Sequence, residues 1–236
     1  MADRWVDPAA GPSLVVEGLS FRWPNGRSAL DHCSLRIPGP GLWMLVGGNG
    51  SGKSTLLRLI AGLLEPREGR LELPLKPALV FQNPDHQLLL PSCGSDIELS
   101  LPPALSGPAR LAAVEQALAQ VGLAGLRQRP IHSLSGGQKQ RLAIAGALAS
   151  QAGLLLLDEP TALLDEGSQG EVIRLIRALC SRPQQPLTAL WITHRLEELD
   201  CCDGAALMSR GRLGAWQAGP SLRRQLRPLP AGRAAG

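Results

Sequence analysis

A glycine-rich segment near residue 50 contains the residue types that bind phosphate. It runs Gly47, Gly48, Asn49, Gly50, Ser51, Gly52, Lys53, Ser54 and Thr55. Glycines allow successive backbone N–H groups to point at phosphate oxygens. Lys53 can reach the β- and γ-phosphates of a nucleotide, and the Ser54 hydroxyl can ligate Mg²⁺. This spacing is the Walker A pattern, and it predicts that these residues bind a nucleoside triphosphate.

The apolar run at 154–157 ends in two acidic residues, Asp158 and Glu159. A buried parallel strand would place both at its carboxyl end, where ligands bind in open α/β sheets. There Asp158 can hold Mg²⁺, directly or through water, and Glu159 can polarise an attacking water as a general base. The alternative is a pair of solvated acids that end a strand. The Walker A segment in the same chain favours the catalytic interpretation.

A second glycine segment consists of Leu134, Ser135, Gly136, Gly137 and Gln138. Ser135 is a good helix N-cap, and the two glycines expose backbone N–H groups at a helix N-terminus, where anions bind. The alternative is an ordinary capped helix, but glycine is a poor helix former and two in succession suit that role badly. The segment therefore predicts a second phosphate cradle, far from the first in sequence.

Together the two glycine segments resemble the ATP-binding cassette (ABC) ATPases, and the resemblance covers about residues 14–213. It implies ATP and Mg²⁺ as cofactors and a head-to-tail dimer. Each ATP is then expected between the Walker A segment of one subunit and the second glycine segment of the other. The residues implied to contact ATP from the opposite subunit are Ser135, Gly136, Gly137, Gln138 and Asp165.

Further family positions are matched one at a time. Gln82 matches a glutamine that senses Mg²⁺ and the attacking water, and His194 matches a histidine that contacts the γ-phosphate. Trp23 matches a position at which the family usually has a tyrosine that stacks on adenine. An indole also stacks well on a purine. The implied magnesium ligands are Ser54, Gln82 and Asp158. The implied catalytic residues are Glu159, His194 and Lys53.

Segment 81–87 narrows the resemblance to one group within the family. Its sequence, Phe-Gln-Asn-Pro-Asp-His-Gln, with Asp96 and Ile97 further on, resembles the ATPases of energy-coupling factor (ECF) transporters, which take up vitamins, cobalt or nickel. Asn-Pro-Asp is also a good turn sequence, which is the alternative reading. Many ECF ATPases have a C-terminal extension that helps them dimerise, whereas this chain has a short Arg-Pro-Gly tail.

The resemblance implies an ATP-hydrolysing subunit on the cytoplasmic face of a membrane, with transmembrane transporter subunits as partners. A second ATPase subunit, either an identical copy or a paralogue, completes the site, and no nucleic acid is expected. A conventional ABC importer or exporter remains an alternative. A soluble ABC ATPase of DNA repair or translation is disfavoured, because the chain has neither a long coiled-coil insertion nor a second cassette. Glu159 and His194 argue against a non-hydrolysing regulator.

The elements that position these residues follow from the apolar pattern. Strands are predicted at 14–23, 30–37, 42–46, 70–73, 78–81, 154–157 and 187–193, with a closing pair of short strands near the end. Helices are predicted at 53–63, 109–121, 135–149 and 166–179. Alternating strands and helices indicate an α/β P-loop NTPase cassette: a mainly parallel sheet, an N-terminal antiparallel β part and a helical subdomain. We expect a flexible N-terminus at 1–13, one ATPase domain at 14–218 containing the helical subdomain at about 84–150, and a flexible tail at 219–236.

Composition agrees with one ordinary globular domain. The chain has 236 residues, of which 44% are hydrophobic and 19% charged, enough for a sizeable core. A formal charge of +4 is too small to argue for nucleic acid or a membrane surface. The five cysteines show no Cys-x-x-Cys spacing, so neither a disulfide framework nor a zinc site is expected. No apolar run approaches the length of a membrane span, so we expect a chain that is soluble by itself.

Overall fold

The computed structural model describes residues 11–226. Its strands are β1 Leu14–Arg22, β2 Ser28–Ile37, β3 Gly41–Val46, β4 Glu68–Glu72, β5 Pro77–Val80, β6 Leu154–Asp158, β7 Thr188–Ile192, β8 Gly204–Ser209 and β9 Arg212–Leu213. Its helices are α1 Lys53–Ile60, α2 Cys93–Ser100, α3 Gly107–Gln120, α4 Gly136–Ala149, α5 Glu166–Cys180 and α6 Gly219–Leu226. Short 3₁₀ helices lie at Pro84–His86, Ile131–Ser133 and Leu196–Cys201.

The central sheet has six strands in the order β5-β6-β7-β3-β8-β9. The first five are parallel, and β9 runs antiparallel to β8. Every residue of β3 and of β7 is buried. Continuous apolar strands of this kind are expected where helices or a second sheet cover both faces of a parallel sheet. The carboxyl ends of β3, β6 and β7 therefore meet at one edge, where the candidate site lies.

A second, antiparallel sheet has the order β2-β1-β4. Its apolar side chains pack with α1 on one face of the central sheet, in a core that includes Leu19, Leu35, Leu56 and Ile60. The other face of the central sheet is covered by α2, α3, α4 and α5, which contribute a second apolar core. The predicted fold class, a P-loop cassette with a mainly parallel sheet, an antiparallel β part and a helical part, is confirmed.

Several boundaries differ from the sequence prediction. Helix α1 ends at Ile60 rather than 63, because Gly62 follows with φ 72°, a left-handed conformation that ends helices. The segment expected to be a flexible tail, 219–236, begins with α6, which buries Leu222 and pairs Arg223 with Asp200. Residues 227–236 lie outside the described part of the chain.

The last residue of the segment expected to be flexible, 1–13, packs against the fold. Ser13 is buried, donates its backbone N–H to the Ile37 carbonyl, and accepts a hydrogen bond from the Thr188 hydroxyl at 2.8 Å. Residues 1–10 lie outside the described part. Between residues 11 and 226, no helix has the length and apolar character that a bilayer crossing requires.

Candidate nucleotide-binding site

The Walker A segment forms the loop between β3 and α1. Gly47 has φ 155° and Gly52 has φ 109°, which side-chain-bearing residues rarely adopt. A Cβ at Gly47 would lie 2.2 Å from the Met208 carbonyl oxygen, and a Cβ at Gly52 would lie 2.4 Å from that of Ala29. The loop can therefore pass between β8 and β2 only because these positions are glycine.

The N-terminus of α1 opens directly from this loop and is free to receive an anion. No side chain caps it, and its first turn holds no acidic residue. Helix N-termini combine exposed N–H groups with the positive end of the helix dipole, so they bind phosphate readily.

The Lys53 ammonium lies against the loop backbone. Its Nζ atom donates to the carbonyl oxygens of Gly47 at 2.8 Å and Gly48 at 3.1 Å. Burial lowers the pKa of Lys53 from its ordinary value, and the negative charges of Glu159 and Asp158 oppose that shift. Lys53 thus contacts the phosphate-binding loop and interacts electrostatically with the predicted general base Glu159 and the predicted metal ligand Asp158.

Ser54 and Asp158 meet although they are far apart in sequence. The Ser54 hydroxyl donates to the Asp158 carboxylate at 3.0 Å. Both groups offer hard oxygen atoms, the ligands that Mg²⁺ prefers, so the pair fits the predicted metal. Gln82 lies two residues beyond β5 at the same edge of the sheet. Its side chain forms no hydrogen bond to other residues of the described part, so the structure does not join it to the other two predicted ligands.

The side chains of Glu159 and His194 are in contact, with 2.8 Å between His194 Nε2 and Glu159 Oε1. The backbone of Glu159 has φ 51°, a left-handed conformation that is uncommon for a residue with a side chain. Its N–H group donates to the Ile192 carbonyl of β7 at 3.1 Å. Strained backbone of this kind persists where neighbours fix it, frequently at functional sites.

The second glycine segment begins α4. Ser135 caps the helix, with its hydroxyl accepting from the Gln138 N–H at 3.2 Å while the Gln138 side chain accepts from the Ser135 N–H at 2.9 Å. Gly137 also has a packing role: a Cβ there would lie 2.6 Å from the Ser168 hydroxyl on α5. Sequence reasoning assigned this glycine to phosphate binding alone.

Asp165 caps the neighbouring helix, α5. Its carboxylate accepts from the Ser168 backbone N–H at 2.9 Å and from the Ser168 hydroxyl at 2.7 Å. These hydrogen bonds, that of the N–H first, lower the pKa of Asp165. Within residues 11–226, no hydrogen bond joins Asp165 or the segment 135–138 to the Walker A loop. Within this part of the chain, the two groups of predicted ATP contacts are thus not joined by hydrogen bonds.

Trp23 lies in the hairpin between β1 and β2, with its indole edge-on to Phe21 at a centroid distance of 5.1 Å. The hairpin also holds Arg27, whose carbonyl accepts from the Trp23 N–H at 2.9 Å. A Cβ at Gly50 would lie 2.5 Å from Arg27 Nη2, so the guanidinium rests on the phosphate-binding loop. The sequence prediction did not include Arg27. The available signal was its position directly after the Asn25-Gly26 turn, which brings it opposite Trp23.

The segment 81–87 is tied to α4 by two residues that sequence reasoning also passed over. Lys139 Nζ lies 2.7 Å from the Asp85 carboxylate. Gln140 is fully buried and donates to the Phe81 carbonyl at 3.3 Å. Both follow the second glycine segment directly, so segment 81–87 and the start of α4 form one connected unit.

Comparison with known proteins agrees with this geometry. A family model described as "ABC transporter" matches residues 30–162. The ABC transporter I family member 10 of Arabidopsis thaliana is 47% identical over 186 residues, which cover 78% of this chain and 69% of that protein. The energy-coupling factor transporter ATP-binding protein EcfA1 of Geobacillus kaustophilus is 39% identical over 224 residues, covering 87% of this chain and 78% of that protein.

Among solved structures, CbiO1 of Clostridium perfringens, described as part of the ABC transporter complex CbiONQ, superposes with a TM-score of 0.83 at 30% identity. The match covers 92% of each chain. With the phosphate-binding loop, the paired Ser54 and Asp158 and the paired Glu159 and His194 at one sheet edge, these similarities show that the chain belongs to the ATP-binding subunits of the ABC transporter family.

Proposed function

We propose that this chain hydrolyses ATP to drive a membrane transporter of the energy-coupling factor type, at the cytoplasmic face of the membrane. The observation that supports the chemistry best is the 2.8 Å contact between Glu159 and His194, at the edge of the sheet that also holds the Walker A loop. The transporter type is inferred from the names of similar proteins and from the segment 81–87. The proposed cargo, a vitamin or a transition-metal ion, is selected by the membrane components.

Binding of ATP is assigned to groups along the loop and hairpin. The N-terminus of α1, the loop N–H groups and the Lys53 ammonium bind the phosphates, because they are the positive groups at this edge. Trp23 stacks on the adenine. Ser54, Asp158 and Gln82 would hold Mg²⁺, which supplies positive charge to the β- and γ-phosphates when bound.

Hydrolysis is assigned to Glu159 and His194. The Glu159 carboxylate orients the attacking water and accepts its proton as the water oxygen bonds to the γ-phosphorus. His194 holds that carboxylate in place and contacts the γ-phosphate. ADP leaves as the β–γ bridging bond breaks.

A second subunit completes each site. Ser135, Gly136, Gly137 and Gln138 of one subunit contact the ATP bound by the other, and Asp165 lies at the interface between them. The segregation of these residues from the Walker A loop within one chain supports that arrangement. The partner is an identical copy or a paralogue.

Glu159→Gln tests the catalytic assignment. The variant keeps the shape of the side chain but cannot accept the proton, so we expect ATP turnover to fall at least about a hundredfold. ATP with Mg²⁺ should then trap a dimer, measured by size-exclusion chromatography with light scattering. Glu65→Gln, the same change at an exposed glutamate of the described structure, is the control. Turnover at the parent rate by a monomeric Glu159→Gln protein would contradict the proposal.

Two exposed leucines that follow segment 81–87 in the chain support a membrane partner. Leu89 and Leu99 are 74% and 60% exposed. The Asp96 carboxylate fixes the loop that presents Leu89 by accepting from the backbone N–H groups of Leu89 at 2.7 Å and Leu90 at 3.0 Å. Leu89 is thus an apolar side chain presented at the surface, and burying it would favour the binding of a partner.

Co-purification tests this partner. The tagged chain, solubilised gently from native membranes, should recover a coupling membrane subunit together with a small substrate-binding membrane protein. Leu89→Ser should reduce that recovery. Leu63→Ser, which changes a leucine that is 59% exposed in the loop after α1, should not. Recovery of a conventional pair of transmembrane domains would instead identify an ordinary ABC importer or exporter, and recovery of no membrane protein would contradict a role in transport.

A further inference from the structure

Glu198 is a buried acidic residue that the proposed reaction does not use. It lies on the 3₁₀ helix Leu196–Cys201, shortly after His194, and is only 3% exposed. Its carboxyl group accepts from the Thr161 hydroxyl at 2.5 Å and from the Trp191 indole N–H at 3.1 Å, and it lies 3.8 Å from Arg195 Nε. A buried carboxyl group needs such partners, because leaving it without them is costly.

The partners of Glu198 come from the segments that hold the two catalytic residues. Trp191 belongs to β7, which leads to His194. Thr161 lies in the loop that begins at Glu159 and ends at the α5 cap, Asp165, and its side chain is almost completely buried. Glu198 thus joins the two loops whose ends meet in the contact between Glu159 and His194.

The connection that Glu198 makes between the two loops bears on the unusual backbone conformation of Glu159. The left-handed conformation is unfavourable for a residue with a side chain, so it persists only while neighbouring contacts fix it. One such contact is the hydrogen bond from the Glu159 N–H to Ile192; a second is the hydrogen bond from the Ala162 N–H to the Glu159 carbonyl at 3.1 Å. Thr161, between these positions, anchors the loop to the body of the protein through the hydrogen bond of its hydroxyl to Glu198.

We propose that Glu198 is a positioning residue which, through Thr161, holds the Glu159 carboxylate where it contacts His194. The inference rests on the proposed role of Glu159 as general base. It assigns the hydroxyl group of Thr161, and not its methyl group or its volume, to the catalytic geometry. Trp191 fixes the other oxygen of Glu198 to the sheet, so that the carboxyl group is a rigid anchor for the loop.

Thr161→Val and Thr161→Ser separate this role from simple packing. Valine keeps the shape of threonine but lacks the hydroxyl group. Serine keeps the hydroxyl group but lacks the methyl group. Because a hydrogen bond to an acidic side chain is lost, we expect the kcat of Thr161→Val to fall about tenfold. The KM for ATP should stay within about twofold, since the ATP-binding loop is untouched. Thr161→Ser should keep a kcat near that of the parent.

Thr188→Val is the matched control. Thr188 is also fully buried, lies on β7 and donates its hydroxyl, in this case to Ser13 at 2.8 Å, at the opposite end of the strand from His194. The variant loses a buried hydroxyl of the same kind, and its kcat should equal that of the parent. The kcat of each variant is measured below the midpoint of its thermal unfolding. An ATP affinity equal to that of the parent is the evidence that the variant is folded. Should Thr161→Val not fold, Thr161→Ala is compared with Thr161→Ser, because these two variants differ only in the hydroxyl group.

A parent-like kcat in Thr161→Val, or equal losses in Thr161→Val and Thr161→Ser, would overturn the inference. An equal loss in Thr188→Val would overturn it as well, because any buried hydroxyl would then have the same effect. Glu159→Gln distinguishes a failure of the role proposed for Glu198 from a failure of the role proposed for Glu159. If that variant is inactive while Thr161→Val is normal, only the role of Glu198 fails; if it turns over ATP normally, the role of Glu159 fails and that of Glu198 with it.

Discussion

At the scale of single residues, Arg27 places a guanidinium group on the phosphate-binding loop. Its contact with Gly50 and its backbone pairing with Trp23 mean that one hairpin reaches both the proposed adenine site and the phosphate site. Arginine retains its charge at any physiological pH and suits phosphate geometry well. Arg27 therefore adds positive charge where a nucleotide carries its negative charge.

Replacing Arg27 with glutamine should weaken ATP binding with little effect on folding. The group is exposed, so its contribution is small, and we expect an increase in Kd of about two- to tenfold. Isothermal titration with ATP and Mg²⁺ measures the change. Arg22→Gln, at an exposed arginine on the same hairpin, is the control. Equal affinities in the parent and Arg27→Gln would show that the guanidinium does not reach the phosphates.

Residues in short contiguous patterns are those that could be predicted from the sequence. Lys53, Ser54, Asp158 and Glu159 each lie in a string of glycines or apolar residues that identifies them. Arg27 and Glu198 do not, since their partners are supplied by distant parts of the chain. Even the contact between Ser54 and Asp158, 104 residues apart, becomes visible only after the sheet places both at one edge.

At the scale of elements, the start of α4 packs directly on the start of α5. Gly137 leaves room for Ser168, whose hydroxyl in turn contacts the α5 cap Asp165. The two helix N-termini that are proposed to face the partner subunit therefore form one steric unit. A change in one helix must be accommodated by the other.

Gly137→Ala should lower the free energy of unfolding by about 1–3 kcal/mol, the usual cost of overpacking, although alanine is the better helix former. The double variant Gly137→Ala/Ser168→Gly should lose less than the sum of the two single changes, because the clash is removed. Urea unfolding measures all three. Gly136→Ala is the control, since a Cβ there meets only the Leu164 side chain, at 3.5 Å. Additive losses of unfolding free energy would mean that α4 and α5 do not pack together through Gly137 and Ser168.

The helices that escaped prediction are those with weak local signals. Helix α2 starts with a capping box in which Ser95 replaces the usual glutamate or glutamine, and Gly94 follows close to the cap. Helix α6 is short, begins Gly219-Pro220, and is held by the burial of Leu222 and by the pair of Arg223 and Asp200. Tertiary contacts, and not helix propensity, decide both elements.

At the scale of the whole molecule, the class of fold could be predicted, but the order of strands could not. Apolar runs such as 154–157 are typical of a parallel sheet buried on both faces. Nothing in those runs specifies that β3 lies between β7 and β8. That order depends on the complementary packing of side chains across the sheet.

The central position of β3 also sets when this protein can first bind a nucleotide during its synthesis. Both neighbours of β3 are translated late, and the loop after it is closed by still later residues: the Gly211 N–H donates to the Ser51 carbonyl at 2.9 Å. At bacterial or eukaryotic rates of translation, the apolar β3 waits on the order of ten seconds or more for these partners. A nascent chain therefore carries its most recognisable motif long before that motif can function, and during this interval the strand must be shielded from wrong pairing.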